Sequence, residues 1–506
     1  MNKETEEKLG TVRETLKEMQ YYNNAANVMN YDLETICPKG GQKIQGETIA
    51  FISNQEFKLR KNPEFIEAAE YIYEHREELE EIDKILAEVL HRSYLGEKNI
   101  TPEKQHEFAL VLNKAYIDWE KAKREDSFDV FKDSLSEVKR VMLESTGLQE
   151  RMEYQKDYSD YDLMLDNYER GMNTEKVRAA FDECKERLVP FLKKIQASKK
   201  EIRTDFLARP VTDESQRQMA QYLLEVMNFD FNRGAFTTTV HPFTETLSRN
   251  DVRVTTNYKR DNFTSSMYSI IHEGGHALFG QNVPTEDYDH YIDGNRTLGM
   301  DESVSRFYEN RIGRSKEYMH LIYPKTCEIF PEAMKGVSEN DLYEAVNIVT
   351  PSLIRTEADE FTYTFHIIIR FEIEQEIIAG RVKIEDVPEL WNKKYEEYLG
   401  IRPTSYRTGV LQDVHWSFGF GYFPTYALGN MYNAMYINRM KSDIDLWGSV
   451  SKGDFNTVNG WMTENVFKEA ERKDPADWIR DITGRDFTPK DFLDYLEEKY
   501  GELYGL

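Results

Sequence analysis

The stretch that most constrains this chain is 263–281, FTSSMYSIIHEGGHALFGQ. In it, His272, Glu273 and His276 interrupt an apolar helical pattern. Residues four positions apart lie on one face of a helix, so the two imidazoles can bind one ion. The spacing is the H-E-x-x-H zinc signature, in which the glutamate is the candidate general base. The stretch therefore predicts a buried helix that carries a metal site.

The same stretch predicts where the helix begins and ends and how closely it is packed. Ser265 or Ser266 is the expected N-cap and Gly280 the expected stop. Gly274 and Gly275 lie in mid-helix, where each glycine costs about 1 kcal/mol relative to alanine. We expect close packing of another segment against the metal site to offset this cost.

The length, periodicity and charge of the chain restrict its class. Its 506 residues contain no linker-like or low-complexity tract, and helical periodicity dominates. We expect a mostly α fold in a single domain, with helices over 1–230, a β-ribbon and the zinc site over 235–322, and further helices over 339–506. The formal net charge of -26 disfavours nucleic acid and anionic membrane as partners. An anionic substrate would need a local cation.

The amino terminus and the cysteines indicate the compartment. MNKETEEKLGTVRETLKEMQ is charged and amphipathic without the apolar run of a signal peptide, and no later stretch is long enough for a membrane span. We therefore expect a soluble, cytoplasmic protein. Cys37, Cys184 and Cys327 are odd in number and widely spaced, which argues against a disulfide framework and a thiolate zinc site. Histidine and carboxylate are the expected metal ligands.

Two kinds of periodicity divide the first half of the chain. Apolar spacings of three and four predict helices over 3–29, 43–60, 64–97, 102–125, 129–149, 174–199 and 213–227. Over 235–260, Thr and Val alternate with other residues on either side of a turn-prone SRND, as in a β-hairpin. His241 and Arg253 project from this ribbon and are candidate substrate contacts. An exposed strand beside a metal site could bind an extended peptide by strand addition.

A third metal ligand is expected after the zinc helix. Catalytic His₂Glu sites use three protein ligands and leave a fourth position for water. Glu302 lies 26 positions after His276, far enough for a loop and a return. Asp301 and Glu309 are alternatives, and the spacing does not choose among the three.

Two stretches of the carboxyl-terminal half carry further candidates. One is LIRTEADEFTYTFHIIIRFEIE from Leu353, an apolar helical pattern that contains Arg355. The other is GVLQDVHWSFGFGYFPTYALGN from Gly409, which suits a rigid loop that lines a pocket. The candidate polar residues of this second stretch are Gln412, Asp413, His415 and Tyr422.

Six ordered motifs resemble those of the thermostable carboxypeptidase family, often called the carboxypeptidase Taq family. They are HPF at 241–243, DVRVT at 251–255, HEGGH at 272–276, ESVS at 302–305, IRTEAD at 354–359 and GVLQDVHW at 409–416. Weaker similarity extends to MNYDLETICPKGG from Met29 and YDLMLDNYERGM from Tyr161, so the resemblance covers most of the chain. The chain departs from the family pattern at Asp301 (usually His), Val304 (usually Gln), Asn257 (often Arg) and Tyr31 (commonly Trp).

The resemblance implies a helical body with a deep groove walled by 339–506, a small β-sheet next to the zinc helix, and a homodimer. It also implies zinc, which cobalt can replace, and release of single residues from the carboxyl end of peptides with broad specificity. The family's third ligand corresponds to Glu302. The family's arginine for the terminal carboxylate of the substrate corresponds to Arg355.

These residues define a mechanistic hypothesis and its rivals. Zinc held by His272, His276 and Glu302 would activate water, with Glu273 as the base, and His415 or Tyr422 would donate to the oxyanion. If a substrate did not occupy Arg355, Glu357 or Asp359 would be its expected partner. The alternatives are an oligopeptidase that cleaves internal bonds or releases dipeptides, and a catalytically silent zinc-binding scaffold.

Overall fold

The amino-terminal part of the chain is a succession of amphipathic helices, as its apolar spacing predicts. The computed structural model describes residues 1–506. Its first nine helices are α1 (Lys3–Thr35), α2 (Gln42–Arg60), α3 (Pro63–Glu74), α4 (Glu81–Glu97), α5 (Pro102–Glu125), α6 (Lys132–Leu148), α7 (Asp160–Asp166), α8 (Thr174–Ala197) and α9 (Asp213–Val226).

The single helix predicted over 64–97 is wrong, because the chain breaks after α3 and starts again as α4. Leu79 and Glu80 have extended backbone conformations between the two helices. The break lies in an acidic run, and it lets α3 and α4 bury Ile72, Leu79 and Ile82 in one apolar cluster. Burial of apolar surface on two short helices therefore prevails over the continuous helical period of the sequence.

Three short strands follow α9 and form one sheet. They are β1 (Gly234–Thr238), β2 (Thr244–Ser248) and β3 (Asp251–Thr256), in the order β1-β3-β2. β2 and β3 form the predicted antiparallel hairpin, with Thr244 opposite Val254. β1 pairs with β3 in parallel, which the local sequence pattern did not predict. β2 is consequently an edge strand of the sheet.

The rest of the chain is helical again. The helices are α10 (Phe263–Asn282), α11 (Thr285–Asp289), α12 (Leu298–Arg306), α13 (Lys316–Ile329), α14 (Glu339–Val346), α15 (Tyr363–Ile378), α16 (Val387–Leu399), α17 (Pro424–Asp443), α18 (Leu446–Lys452), α19 (Phe455–Met462), α20 (Lys468–Ala470), α21 (Pro475–Thr483) and α22 (Lys490–Tyr504). A wider π turn, Phe307–Ile312, continues α12. The prediction of a mostly α fold with a small sheet beside the helix that carries His272 and His276 is confirmed.

The apolar side chains form two cores of unequal size. The larger core extends from Ala115 to Tyr504 and includes α10, α12, α15 and α17. A smaller cluster joins α1, α3 and α4, and Ile292 is its one member from outside the first hundred residues. No helix in the structure is both long and apolar enough to span a lipid bilayer.

Candidate active site

Helix α10, which carries the H-E-x-x-H residues, is longer at both ends than its sequence suggested. Asn262 is the N-cap and accepts a hydrogen bond from the Ser265 amide, so the predicted serine caps are wrong. The helix also continues through Gly280 to Asn282. A Cβ on Gly280 would lie 2.7 Å from Thr246 Oγ1, so this glycine permits close contact between α10 and the sheet and does not end the helix.

Two other glycines explain how the site is assembled. A Cβ on Gly275 would lie 2.8 Å from the Ser305 Cα, so this mid-helix glycine lets α10 approach the backbone of α12. On the other side of α12, a Cβ on Gly429 of α17 would lie 3.0 Å from the Cβ of Glu302. The conformational cost of glycine in a helix is thus offset by close helix packing that places Glu302 beside α10.

Glu302 is the carboxylate that joins the two imidazoles. Ligand atoms of His272, His276 and Glu302 lie within 4.8 Å of one another, and His272 Nε2 is 3.9 Å from Glu302 Oε2. Ser305 donates a hydrogen bond of 3.1 Å to the same carboxylate. Two imidazole nitrogens and one carboxylate are the donor set of catalytic zinc sites, so these residues fit a zinc ion.

The two alternative acids lie on the far side of the imidazoles. Glu309 Oε2 is 2.9 Å from His272 Nδ1, and Asp301 Oδ2 is 2.9 Å from His276 Nδ1. A carboxylate on Nδ1 favours the tautomer that leaves the Nε2 lone pair free for a metal. Burial lowers the pKa of His276, but Asp301 together with Glu302 and Glu273 raises this pKa to about 9, so a metal ion would have to displace a proton from this imidazole. The donor set and its orienting acids are therefore both present.

Two arginines that the sequence reasoning missed hold these acids in place. Arg296 donates to Asp301 Oδ1 at 2.8 Å, and Arg306 donates to Glu309 Oε2 at 3.0 Å. The π turn places Glu309 against His272. Arg306 lies four residues after the proposed ligand Glu302 on the same helix, a spacing from which its presence on this face could have been inferred.

The candidate base is fixed by the edge strand. Glu273 follows His272 on α10 and is 8% exposed. The Thr244 hydroxyl on β2 donates a hydrogen bond of 2.8 Å to Glu273 Oε2. Thr244 follows directly on the HPF motif, although the sequence alone did not identify it. Both oxygens of a carboxylate can accept protons, so the contact orients Glu273 without using all of its acceptor capacity.

Arg355 belongs to a buried cluster with one uncompensated positive charge. It lies on a 3₁₀ turn before α15, and its Nη2 donates to Asp413 Oδ1 at 2.9 Å. Arg370, which is fully buried, shares the same carboxylate. Two guanidinium groups against one carboxylate leave one positive charge. The expected neighbours Glu357 and Asp359 are not its partners, since Glu357 pairs with Lys259 and Asp359 accepts from Thr362.

Gln412 and Asp413 form hydrogen bonds with Arg355 and do not line the cavity described below. Gln412 accepts a hydrogen bond from the Arg355 backbone amide at 2.8 Å and another from Arg370 at 3.0 Å. Although burial raises the pKa of Asp413, the two arginines hold it well below its usual value. Both residues therefore orient the arginine cluster.

The two candidate oxyanion donors occupy different positions. Tyr422 lines the cavity, and burial raises its pKa to about 12, so it keeps its proton. His415 lies behind it, with Nε2 3.3 Å from the hydroxyl of Tyr426, another cavity residue. Burial lowers the pKa of His415 to about 4, so this imidazole is neutral at pH 7.

The two candidates on the ribbon lie outside the cavity lining. His241 is exposed on the loop before β2. Arg253 on β3 pairs with Asp251 at 2.8 Å and lies 5.2 Å over the ring of Tyr31 on α1. Tyr31 packs edge-on against Phe243, which does line the cavity. Arg253 is therefore connected to the cavity only indirectly, because it contacts Tyr31 and Tyr31 contacts Phe243.

One cavity of about 470 Å³ connects the metal cluster and Arg355. Its lining includes the imidazoles of His272 and His276, the carboxylates of Glu273 and Glu302, three arginines and two tyrosines. The arginines are Arg296, Arg306 and Arg355. A cavity that holds a metal donor set at one position and cations at others can bind a peptide by its carboxylate and present a nearby bond to the metal.

Comparison with known proteins gives consistent matches over almost the whole chain. A model of the carboxypeptidase Taq (M32) metallopeptidase family matches residues 11–500. Carboxypeptidase 1 of Bacillus subtilis (strain 168) is 37% identical over 496 residues, which cover 97% of each chain. Thermostable carboxypeptidase 1 of Pyrococcus furiosus is 34% identical over 484 residues, 94% of this chain and 95% of that relative. The solved M32 carboxypeptidase from Deinococcus radiodurans R1 superposes with a TM-score of 0.94 at 30% identity, covering 99% of this chain and 100% of that one.

Proposed function

Because the chain belongs to the carboxypeptidase Taq (M32) family of metallopeptidases, we propose that it is a zinc-dependent carboxypeptidase that releases single C-terminal residues from peptides. One observation carries the proposal. Arg355, which shares the Asp413 carboxylate with Arg370 in a cluster of one net positive charge, lines the same cavity as His272, His276 and Glu302. Broad specificity follows if recognition depends mainly on the terminal carboxylate, which every peptide shares.

The residues of the chain have separate roles in this mechanism. His272, His276 and Glu302 would hold the zinc ion, which would supply Lewis-acid polarisation of the carbonyl and lower the pKa of the attacking water. Glu273 takes the proton from water and returns it to the leaving amine. Tyr422 donates to the developing oxyanion, a contact worth about 3 kcal/mol of barrier in comparable sites.

Arg355 makes the enzyme selective for the C-terminal peptide bond. A guanidinium group binds a carboxylate with two parallel hydrogen bonds, so it places the last peptide bond at the metal site. Internal bonds lack this contact. Gln412 and Asp413 keep the guanidinium oriented, and His415 acts through Tyr426.

The proposal also covers the metal, the oligomeric state, the location and the partners of the enzyme. Cobalt can replace zinc, because a nitrogen and oxygen donor set accepts both ions. The family resemblance implies a homodimer, and the cytoplasmic location stays a prediction of the sequence. The net charge of -26 supports a protein that binds neither nucleic acid nor anionic membrane. His241 and Arg253 are proposed to contact substrate residues before the cleaved bond, next to the edge strand β2.

Product analysis of a decapeptide tests the reaction class. We expect mass spectrometry to show a ladder of single-residue losses from the carboxyl end. The ladder should stop with a chelator and return with zinc or cobalt. Internal fragments or dipeptide products would instead indicate an oligopeptidase, and zinc binding without chelator-sensitive hydrolysis would indicate a silent scaffold.

Substitution of the carboxylate anchor tests the exopeptidase assignment. We expect Arg355→Ala to lower kcat/KM for peptide acids by about a hundredfold or more, with little effect on matched peptide amides. Arg217→Ala is the control, because Arg217 pairs with Glu214 on the surface of α9. An unchanged ratio of terminal to internal cleavage in Arg355→Ala would remove the basis for a carboxypeptidase.

A further inference from the structure

Tyr363 contacts both Arg355, the proposed carboxylate anchor, and Arg306, an arginine beside the metal cluster. Tyr363 is the first residue of α15 and is 4% exposed. Its hydroxyl accepts a hydrogen bond of 3.0 Å from Arg355 Nη1. The guanidinium carbon of Arg306 lies 4.3 Å from the centre of its ring. One side chain thus contacts one arginine through its hydroxyl and another through its π face.

The contact with Arg306 leads to the metal ligands. Arg306 Nη1 donates to Glu309 Oε2, and the same oxygen is 2.9 Å from His272 Nδ1. Arg306 Nε is 3.8 Å from Glu302 Oε2, too far for a hydrogen bond, and has no other partner. The main contacts that hold the Arg306 guanidinium are therefore the Glu309 carboxylate, through Nη1, and the ring of Tyr363.

The contact with Arg355 completes the orientation of the anchor. The Asp413 carboxylate accepts hydrogen bonds from Nε and Nη2 of Arg355, and these two contacts fix the plane of the guanidinium. The Tyr363 hydroxyl accepts a hydrogen bond from the third nitrogen, Nη1. The remaining N–H groups of Arg355 are left for a ligand in the cavity.

We propose that Tyr363 is a positioning residue with two separable roles: its hydroxyl orients Arg355 for the terminal carboxylate, and its ring holds Arg306 and thereby the Glu309–His272 pair. The first role rests on the proposed carboxypeptidase function, because it needs a substrate carboxylate at Arg355. The second role concerns only the orientation of a metal ligand. Tyr363 touches neither the metal donor set nor, in this assignment, the reacting atoms.

Two substitutions of Tyr363 separate these roles. Tyr363→Phe removes the hydroxyl and keeps the ring, so KM for peptide acids should rise about tenfold, with kcat and zinc affinity within twofold of wild type. Tyr363→Leu removes both contacts, so zinc affinity should also fall about ten- to a hundredfold. Zinc affinity is measured by competition with a chromophoric chelator, without substrate.

A charge-conserving substitution tests the path through Arg306. Arg306→Lys keeps the positive charge but loses the planar group, so a fall in zinc affinity would report lost orientation and not a changed field. We expect a fall similar to that of Tyr363→Leu, and no further fall in the double variant, because both act through one contact. Tyr343→Phe is the matched control, since Tyr343 is a mostly buried tyrosine on α14, outside the cavity.

The outcomes distinguish this proposal from the proposed function. Equal effects of Tyr363→Phe and Tyr363→Leu on both KM and zinc affinity would overturn the two-role assignment, as would unchanged zinc affinity in Arg306→Lys. If wild type released no C-terminal residues, the proposed function would fail. The zinc measurements would still decide the role of the ring, and circular dichroism of each variant would verify that it is folded.

Discussion

The imidazole of His276 is oriented by Asp301, at a position where the family resemblance leads one to expect histidine. Asp301 lies 2.9 Å from His276 Nδ1 and also accepts from Arg296. Arg296 in turn pairs with the fully buried Glu471, so the acid is held on both sides. The departure at Asp301 therefore leaves the imidazole with an orienting partner and leaves the His₂Glu donor set intact.

Removal of the candidate base should separate turnover from metal binding. In Glu273→Gln we expect kcat to fall about 10²- to 10⁴-fold, because an amide cannot take the proton from water. The zinc content per chain should stay unchanged, since Glu273 is not one of the three ligands. Initial rates and metal analysis measure the two quantities. Thr244→Val, which removes only the hydrogen bond to Glu273, should have a smaller effect, and undiminished hydrolysis in Glu273→Gln would refute the assignment.

Helix α12 is the element that completes the site, and it is held from both faces and at its amino end. Gly275 and Gly429 allow α10 and α17 to approach its backbone. At its start, the buried carboxylate of Glu169 accepts hydrogen bonds from Thr297 and from the Gly299 amide. Burial, opposed by these hydrogen bonds, raises the pKa of Glu169 to about 7. The position of Glu302 thus depends on contacts far apart in the sequence.

Enlarging Gly275 should separate α10 from α12. The added methyl group of Gly275→Ala would meet the backbone at Ser305, which cannot move as a flexible side chain can. We expect a loss of about 1–3 kcal/mol in the free energy of unfolding and weaker zinc binding. Gly10→Ala is the control, because a Cβ there meets nothing within 4 Å, and it should stabilise α1 by up to about 1 kcal/mol. Equal stability changes in the two variants, measured by denaturant unfolding, would contradict the packing argument.

The contact of Glu169 with α12 predicts a pH dependence of stability. A carboxyl whose pKa rises from 4.5 to about 7 on folding binds its proton more tightly in the folded state. Its contribution to stability is therefore lost as pH rises through this window, by up to roughly 3 kcal/mol. Glu169→Gln removes this titration. The variant's free energy of unfolding minus that of the wild type should therefore increase as the pH is raised from 5 to 8. Denaturant unfolding of the metal-free proteins tests this, and parallel pH profiles would show that Glu169 does not titrate in that range.

The whole molecule contains a second, smaller core that depends on the loop between the zinc helix and α12. Ile292 from this loop is buried among the apolar side chains of α1, α3 and α4. Beside it, His290 Nδ1 lies 3.0 Å from Asp83, which also pairs with Arg13. A cavity of about 510 Å³ lies between these helices and the sheet. The segment that connects His276 to Glu302 therefore also packs against the amino-terminal helices.

Truncation of Ile292 should loosen the amino-terminal helices selectively. We expect Ile292→Ala to cost about 2–4 kcal/mol locally and to speed hydrogen exchange in α1, α3 and α4. Exchange in α10 should change little. Ile322→Ala in the larger core is the matched control, and its effect should spread through that core. Uniformly faster exchange across the whole chain in Ile292→Ala would mean that the two cores unfold together.

Local sequence was sufficient for the helical class, the β2–β3 hairpin and the H-E-x-x-H face, because each depends on a period or spacing within one element. It did not choose among Asp301, Glu302 and Glu309, and it did not find the parallel pairing of β1, the break after α3, or Arg306 and Thr244. These features depend on which backbones can approach closely and which charges are buried together. The family resemblance indicated Glu302, and the tertiary structure supplies the physical reason: packing at Gly275 and Gly429 brings Glu302 to the imidazoles, while the other two acids lie at their Nδ1 atoms.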